Sequence, residues 1–216
     1  MIHLTYYLDV MSSWCFYSEP NLRRLLDLYG KHIEYDWRIS LVTEAGPEGF
    51  TREQMDWFYR RSGSISGVHL NSDWCQDRAS TLQPNTAAQA ARKLGFTDDR
   101  ARLALSRAGL IEGKPVRQRD VCLSVLSQTC GIDPHKLAGA MDQRAVVKQI
   151  EMSGREFNAL KIDQRPAYVL HSDIGDRAVF SGIWSYEPLE ATVKSMIRDE
   201  EKYAEFAGSN PPLPSA

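Results

Sequence analysis

The order of the predicted secondary structure constrains the fold of this chain more than any other feature. Its first 42 residues run from strand to helix to strand, and about 100 residues with helical spacing follow. Strand patterns return near residue 167, before a last helix. A strand–helix–strand unit makes its two strands parallel. The two ends of the chain can therefore close into one four-stranded sheet, with the helical block as an insertion.

Apolar spacing places the elements at the start of the chain. Residues 2–9 alternate between faces, as a strand does, and residues 33–42 are rich in strand-forming side chains. Between them, apolar residues recur with helical spacing and end at a glycine that caps the helix: Leu22, Leu25, Leu26, Tyr29 and Gly30.

The middle of the chain, from about residue 47 to 160, lacks strand patterns and is predicted to be helical. The clearest start of a helix there is Asp133-Pro134, an N-cap followed by a first-turn proline. Residues 167–170 and 178–180 then predict a β-hairpin around Gly175, and Ser185 opens the last helix.

This order is typical of a thioredoxin-like α/β fold with an all-helical insertion, although a two-domain α/β protein shares it. We expect a thioredoxin-like domain from residues 1–46 and 161–207 and a helical insertion domain over residues 47–160. Residues 208–216 are polar and proline-rich, which favours a flexible tail.

Composition excludes several classes of function. The net charge of −2 comes from 26 basic and 28 acidic residues and gives no sign of a nucleic-acid-binding face. No apolar run approaches the roughly 18 residues that span a bilayer. The N-terminus lacks a basic start and carries Asp9 where a secretory signal is apolar, which favours a cytoplasmic location. Four scattered cysteines form no disulfide framework, and the five histidines lack metal-ligand spacing, so we expect no metal.

The turn between the first strand and the first helix carries the strongest chemical signal. It contains Ser12, Ser13, Trp14 and Cys15. A helix N-terminus presents unpaired N–H groups and a partial positive charge, so an anion such as a thiolate is stabilised there.

Four segments of the sequence, taken together, resemble the motifs of a known family. They are residues 9–15 (DVMSSWC), 36–41 (DWRISL), 165–169 (RPAYV) and 181–182 (SG). Together they resemble the DsbA superfamily, and in particular its branch of FrnE-type proteins, kappa-class glutathione transferases and 2-hydroxychromene-2-carboxylate isomerases. That branch has a D-[FV]-x-[CS]-P-[WY]-[CS] turn, a W-R-P-x-L strand and a V-P-[AT]-F-V element. Ser13 and Ile39 stand in this chain where the first two motifs have proline.

The resemblance implies a role for Ser12. A dithiol oxidoreductase attacks with its first cysteine and resolves with the second. Here the first position is Ser12 and only the second, Cys15, is a thiol. In the transferases and isomerases of the branch, a serine at this position binds the sulfur of glutathione, so the resemblance implies glutathione as cosubstrate and Ser12 as the group that stabilises its thiolate. Alternatively, Ser12 is only an N-cap. Cys15 is either a buried, inert thiol or a single reactive one.

The second part of the site implied by the resemblance lies near the C-terminal strands. Pro166 matches the cis-proline of the family, and its neighbour Arg165 would bind a substrate carboxylate or the thiolate; the alternative is a solvent-facing arginine beside a trans proline. The relatives follow the last strand with an acidic residue that holds glutathione, whereas this chain has Gly182-Ile183-Trp184-Ser185. Trp184 would cover an apolar ligand together with Trp14, or cap the core.

The chain is therefore expected to be a thiol-dependent isomerase or transferase, using glutathione, that acts on a small organic electrophile. The alternatives are a monothiol disulfide oxidoreductase through Cys15 and a non-catalytic binding or chaperone module. Homodimers are common among these relatives, and on that ground alone the resemblance implies a homodimer. One group of residues in the helical insertion has two possible roles. They either form an aromatic wall over a hydrophobic substrate or take part in ordinary helix packing: Met55, Trp57, Phe58, Tyr59, Arg60 and Arg61.

Overall fold

A computed structural model describes residues 1–42, 49–75 and 78–210 of the chain. Within these ranges the helices and strands are β1 Ile2–Leu8, α1 Ser13–Tyr29, β2 Ile33–Ile39, β3 Phe50–Thr51, α2 Arg52–Ser66, β4 Arg78–Ala79, α3 Leu82–Lys93, α4 Arg100–Leu110, α5 Arg119–Cys130, α6 Pro134–Met141, α7 Arg144–Ala159, β5 Ala167–Ser172, β6 Arg177–Ser181 and α8 Tyr186–Ser209. Of the helices in these ranges, none combines the length and apolar character needed to cross a membrane.

The central sheet has the strand order β2-β1-β5-β6. Strand β1 pairs in parallel with β2, with Ile2 beside Ile33, and in antiparallel with β5, with Tyr6 beside Tyr168. Strand β6 adds the antiparallel hairpin at the edge. The parallel pair, the hairpin and the four-stranded sheet are confirmed, and the fold is a thioredoxin-like α/β fold.

Helices cover both faces of the sheet, and the apolar side chains of β1 lie mainly on one of these faces. On one face, alternate β1 residues such as Leu4 and Leu8 belong to the same buried cluster as Leu22 of α1 and Leu189 of α8. On the other face, Tyr7 packs against Phe157 of α7, with the ring centroids 5.7 Å apart. The sheet is therefore the middle layer of three.

Two sequence expectations differ from the structure. The segment expected to lack strands contains the short pair β3 and β4, in which Phe50 lies opposite Ala79; two-residue strands are too short to produce a period-two pattern. Helix α8 continues to Ser209, so residues 208–209 are not part of a tail. The rest of the expected tail, residues 211–216, lies outside the described residues. The Asp133-Pro134 start is confirmed at α6, where the Asp133 side chain accepts a hydrogen bond from Lys136 N.

A buried group of charges joins α4 to α1 and β2. Arg102 of α4 is 1% exposed and donates hydrogen bonds to Glu19 of α1, with Nη2 3.0 Å from Oε2, and to Asp99, with Nε 3.0 Å from Oδ1. Its Nη2 also lies 3.2 Å from the hydroxyl of Tyr35 on β2, and Asp99 accepts a second hydrogen bond from Arg23. The opposite charges compensate each other's desolvation and fix the helical segment against the sheet.

Candidate active site

A cavity of about 300 Å³ opens where the N-terminus of α1 meets the loop before β5. The turn before α1 contributes Met11 and Ser12, and the first turn of α1 contributes Ser13 and Trp14. The loop before β5 contributes Asp163, Gln164 and Arg165, and the facing wall comes from β3 and α2. The fold therefore brings both ends of the chain and the helical segment to one cavity.

Ser12 is the N-cap of α1 and faces this cavity. Its backbone is extended, with φ −76° and ψ 124°, and its Oγ accepts a hydrogen bond from Cys15 N at 3.3 Å. The side chain is half-buried. Because Oγ serves the helix as an acceptor, its rotatable hydrogen can still be donated, either to the Cys15 thiol or to an anion in the cavity. The N-cap role and a thiolate-binding role are therefore compatible.

Cys15 lies beneath the cavity rather than in its wall. It is 3% exposed. Burial raises its pKa to about 11, while a hydrogen bond from the Ser12 side chain acts in the opposite direction. Since the thiolate is the nucleophilic form of cysteine, this environment favours an unreactive thiol.

Asp9 organises the backbone under the site. This carboxylate is fully buried and accepts hydrogen bonds from four donors: Met11 N at 2.9 Å, Val42 N at 3.0 Å, Thr81 Oγ1 at 2.7 Å and Asn85 Nδ2 at 2.9 Å. These donors come from the turn before α1, the segment after β2 and the start of α3. Asp9 thereby fixes three parts of the chain around the cavity, and the four donors satisfy the hydrogen-bonding capacity of its buried oxygens.

Three helices of the middle segment hold the turn that precedes α1. Asn85 of α3 accepts a hydrogen bond from Val10 N at 3.0 Å, and Ser106 of α4 donates one to Val10 O at 2.7 Å. The buried hydroxyl of Tyr59 in α2 donates to Met11 O at 3.1 Å. These long-range contacts position Ser12, and sequence analysis did not identify Asn85 or Ser106. Both occur in ordinary helical patterns, so no local signal marks them.

Arg165 precedes Pro166 across a cis peptide bond and lines the cavity. Its guanidinium, however, binds the segment after β2: Nε lies 2.7 Å from Ser40 O, and Nη2 lies 3.0 Å from Ser40 Oγ and 2.9 Å from Leu41 O. The same group lies 4.3 Å from the ring centroid of Phe157. A substrate carboxylate would have to displace these hydrogen bonds to reach the guanidinium.

Gly182 and Trp184 lie beside the cavity and are absent from its lining. Gly182 has a left-handed φ of 72° and donates its N–H to Pro166 O at 2.9 Å, so glycine supports the turn next to the cis proline. The ring of Trp184 packs against that of Trp14, with the centroids 6.0 Å apart, while its carbonyl accepts a hydrogen bond from Asn21. Trp184 therefore supports Trp14, which does line the cavity.

The wall facing Ser12 is aromatic. The rings of Phe50 and Phe58 meet edge to face at 5.2 Å, and both line the cavity. Tyr59 and Met55 complete this surface. Trp57 does not line the cavity. This arrangement suits an apolar or planar ligand next to a helix N-terminus.

A larger groove of about 610 Å³ lies between β2, α3 and α7. Two arginines of its lining are already paired, since Arg38 bonds to Glu156 and Arg92 bonds to Asp36. These ion pairs tie α3 and α7 to the edge of the sheet. The smaller cavity at Ser12 is therefore the better candidate for chemistry.

Sequence comparison identifies one matching family. The family model described as a DSBA-like thioredoxin domain matches residues 3–194. No curated protein matches the sequence of the chain.

Solved structures share the fold at low sequence identity. The cytosolic disulfide reductase DsbM from Pseudomonas aeruginosa is 20% identical with a TM-score of 0.73, over 91% of this chain and 98% of that one. The same reductase with GSH gives 17% identity and a TM-score of 0.71, over 91% and 99%. A 2-hydroxychromene-2-carboxylate isomerase gives 14% identity and a TM-score of 0.60, over 94% and 98%. At these identities the likeness establishes the fold alone.

Proposed function

Because the chain belongs to the family of DSBA-like thioredoxin domains, we propose that it is a glutathione-dependent isomerase or transferase in which Ser12 stabilises the thiolate of bound glutathione. The observation that carries this proposal is the difference in exposure between the two side chains at the start of α1, Ser12 and Cys15. The hydroxyl of Ser12 lines the cavity, whereas the thiol of Cys15 is buried with a pKa of about 11. The nucleophilic sulfur is therefore supplied by a cosubstrate.

The N-terminus of α1 stabilises a thiolate in two ways. Its free N–H groups and partial positive charge favour an anion, and the Ser12 hydroxyl donates a charge-assisted hydrogen bond to the sulfur. Both interactions favour the ionised form, so they lower the pKa of a bound thiol. A larger fraction of the glutathione is then nucleophilic near neutral pH.

The reaction follows from that thiolate. The glutathione thiol releases its proton to solvent, and the sulfur forms a C–S bond with an electrophilic carbon of the substrate. In an isomerisation, the displaced π electrons move onto the electron-withdrawing group, the resulting single bond rotates, and the C–S bond breaks to release the thiolate. In a transfer, a leaving group departs with its bonding electrons and a thioether remains. The aromatic wall of Phe50 and Phe58 would hold the apolar body of either substrate.

Two observations support glutathione as the cosubstrate. A structural neighbour with the same fold is a reductase whose structure is described as containing GSH. In addition, the cavity presents the polar side chains of Asp163 and Gln164 at its exposed rim. These groups are available to the charged ends of a peptide, and they would replace the acidic residue that residues 182–185 lack. Reduced glutathione requires a reducing compartment, so we also propose a cytoplasmic location.

Calorimetric titration with glutathione tests this proposal. Ser12→Ala should weaken binding by about 10-fold or more, because it removes one hydrogen bond to a charged group, worth roughly 1.5–3 kcal/mol. Ser12→Thr, which keeps the hydroxyl, should retain most of the affinity. Absence of saturable binding by the native chain would contradict the proposal.

A further variant separates thiolate binding from helix capping. Aspartate is as good an N-cap as serine, but its carboxylate repels a thiolate. Ser12→Asp should therefore unfold at nearly the same urea concentration as the native chain and yet lose glutathione binding. Equal losses of stability and binding would instead assign Ser12 to capping alone.

The monothiol alternative predicts a reactive Cys15, and the structure leads us to expect the opposite. Raising a thiol pKa from 9.0 to about 11 lowers the thiolate fraction at pH 8 about 100-fold. Iodoacetamide at pH 8 should label the part-exposed Cys130 of the native chain well before Cys15, as measured by peptide mass spectrometry. In the urea-unfolded chain the two should react at similar rates. Rapid native labelling of Cys15 would favour the monothiol alternative.

A further inference from the structure

Arg61 of α2 lines the same cavity as Ser12 and has an exposed guanidinium. This group lies 5.0 Å from the ring centroid of Trp57 and 5.9 Å from that of Phe58. Stacking on aromatic rings orients a guanidinium and leaves its in-plane N–H donors available. Within the described parts of the chain, Arg61 has no carboxylate partner among the ion pairs.

The second arginine of the cavity differs in its partners. The Arg165 guanidinium donates to Ser40 and Leu41, as described above. An arriving anion therefore meets competing hydrogen bonds at Arg165 and a solvent-exposed cation at Arg61. On this comparison, Arg61 is the better anion-binding group of the cavity.

The surroundings of Arg61 indicate the shape of the anion. The Phe50 and Phe58 rings form an apolar wall next to the guanidinium, and the buried Met55 extends it. A planar apolar body can pack on this wall while a carboxylate or sulfonate attached to it pairs with Arg61. A neutral molecule of the same shape would gain only the packing.

We propose that Arg61 is a specificity-determining residue that selects a planar organic anion as the second ligand of the cavity. This inference rests on the proposed function, since it assigns the electrophilic substrate to the Arg61 side and glutathione to the Ser12 side. The occupant is a small conjugated or aromatic acid, and its anionic group is the feature that Arg61 recognises.

The test compares 2-naphthoate with uncharged 2-naphthamide by calorimetric titration of the full chain without glutathione. The native chain should bind the acid about 10-fold more tightly than the amide. Arg61→Gln should weaken binding of the acid about 10-fold and leave the affinity for the amide unchanged. Arg60→Gln is the matched control, because the neighbouring Arg60 is also exposed and its Nε donates to Asp56 O of the same helix. That variant should bind the acid and the amide with native affinity.

Three results would overturn the inference: no measurable binding of 2-naphthoate, equal binding of acid and amide, or an Arg61→Gln variant with native affinity for the acid. A fourth measurement separates this inference from the proposed function. Glutathione affinity should be native in Arg61→Gln, and a 10-fold loss would assign Arg61 to glutathione and overturn the inference. Failure of glutathione to bind the native chain would instead overturn the proposed function and leave the naphthoate comparison as it stands.

Discussion

The Ser12→Cys variant is expected to form a disulfide with Cys15 and to gain dithiol oxidoreductase activity. The first position of the turn faces the cavity, and the Ser12 Oγ already lies 3.3 Å from the backbone nitrogen of Cys15, from which it accepts a hydrogen bond. A cysteine at the helix N-terminus has a lowered pKa and attacks disulfides, after which Cys15 resolves the mixed disulfide. The variant should therefore catalyse reduction of insulin by dithiothreitol well above the native chain.

The control is the double variant Ser12→Cys with Cys15→Ser, which keeps the attacking thiol and removes the resolving one. It should form mixed disulfides but catalyse insulin reduction poorly. Cys15→Ser alone should behave as the native chain in this assay. If the native chain already catalyses the reaction as fast as Ser12→Cys, the exchange of a hydroxyl for a thiol at this position does not decide the chemistry of the fold.

Replacement of Arg102 with methionine is expected to destabilise the chain by about 3–5 kcal/mol, measured by urea unfolding. Methionine fills much of the space of the arginine stem, so the main cost comes from charge. Glu19 loses its cation, and the buried Asp99 loses one of its two arginine partners and keeps Arg23; buried carboxylates with too little compensating charge are costly. Adding Glu19→Gln to Arg102→Met should recover part of the loss.

A neighbouring ion pair supplies the comparison. Arg100 lies in the same helix and pairs with Asp98, but both side chains are exposed. Exposed pairs contribute about 0–1 kcal/mol, so Arg100→Met should hardly change the urea midpoint. Equal effects at Arg100 and Arg102 would show that burial of the ion pair does not determine its contribution.

The expected fold follows from local patterns. Alternation in residues 2–9, helical spacing up to Gly30 and the hairpin around Gly175 each depend on neighbours within a few residues. These patterns give the element order, and the handedness of strand–helix–strand units limits the sheet to few arrangements. The short strands β3 and β4 escaped prediction because two residues do not establish a period.

The candidate site was predicted in part. Ser12, Ser13, Trp14 and Arg165 were expected near one another, and all four line the cavity. The orientation of the Arg165 guanidinium was not predictable, because its partner Ser40 lies 125 residues away along the chain.

The order of residues alone is enough to show which chemical groups stand at the start of the first helix, and that a hydroxyl precedes the thiol there. Long-range packing, by contrast, places Ser12 at a cavity and buries Cys15. It also brings Asn85, Tyr59 and Ser106 to the turn that precedes α1. The physical reason is the range of the interactions. Capping and periodicity act within one or two helical turns, whereas exposure, pKa and the partners of a guanidinium depend on segments that packing brings together from distant parts of the chain.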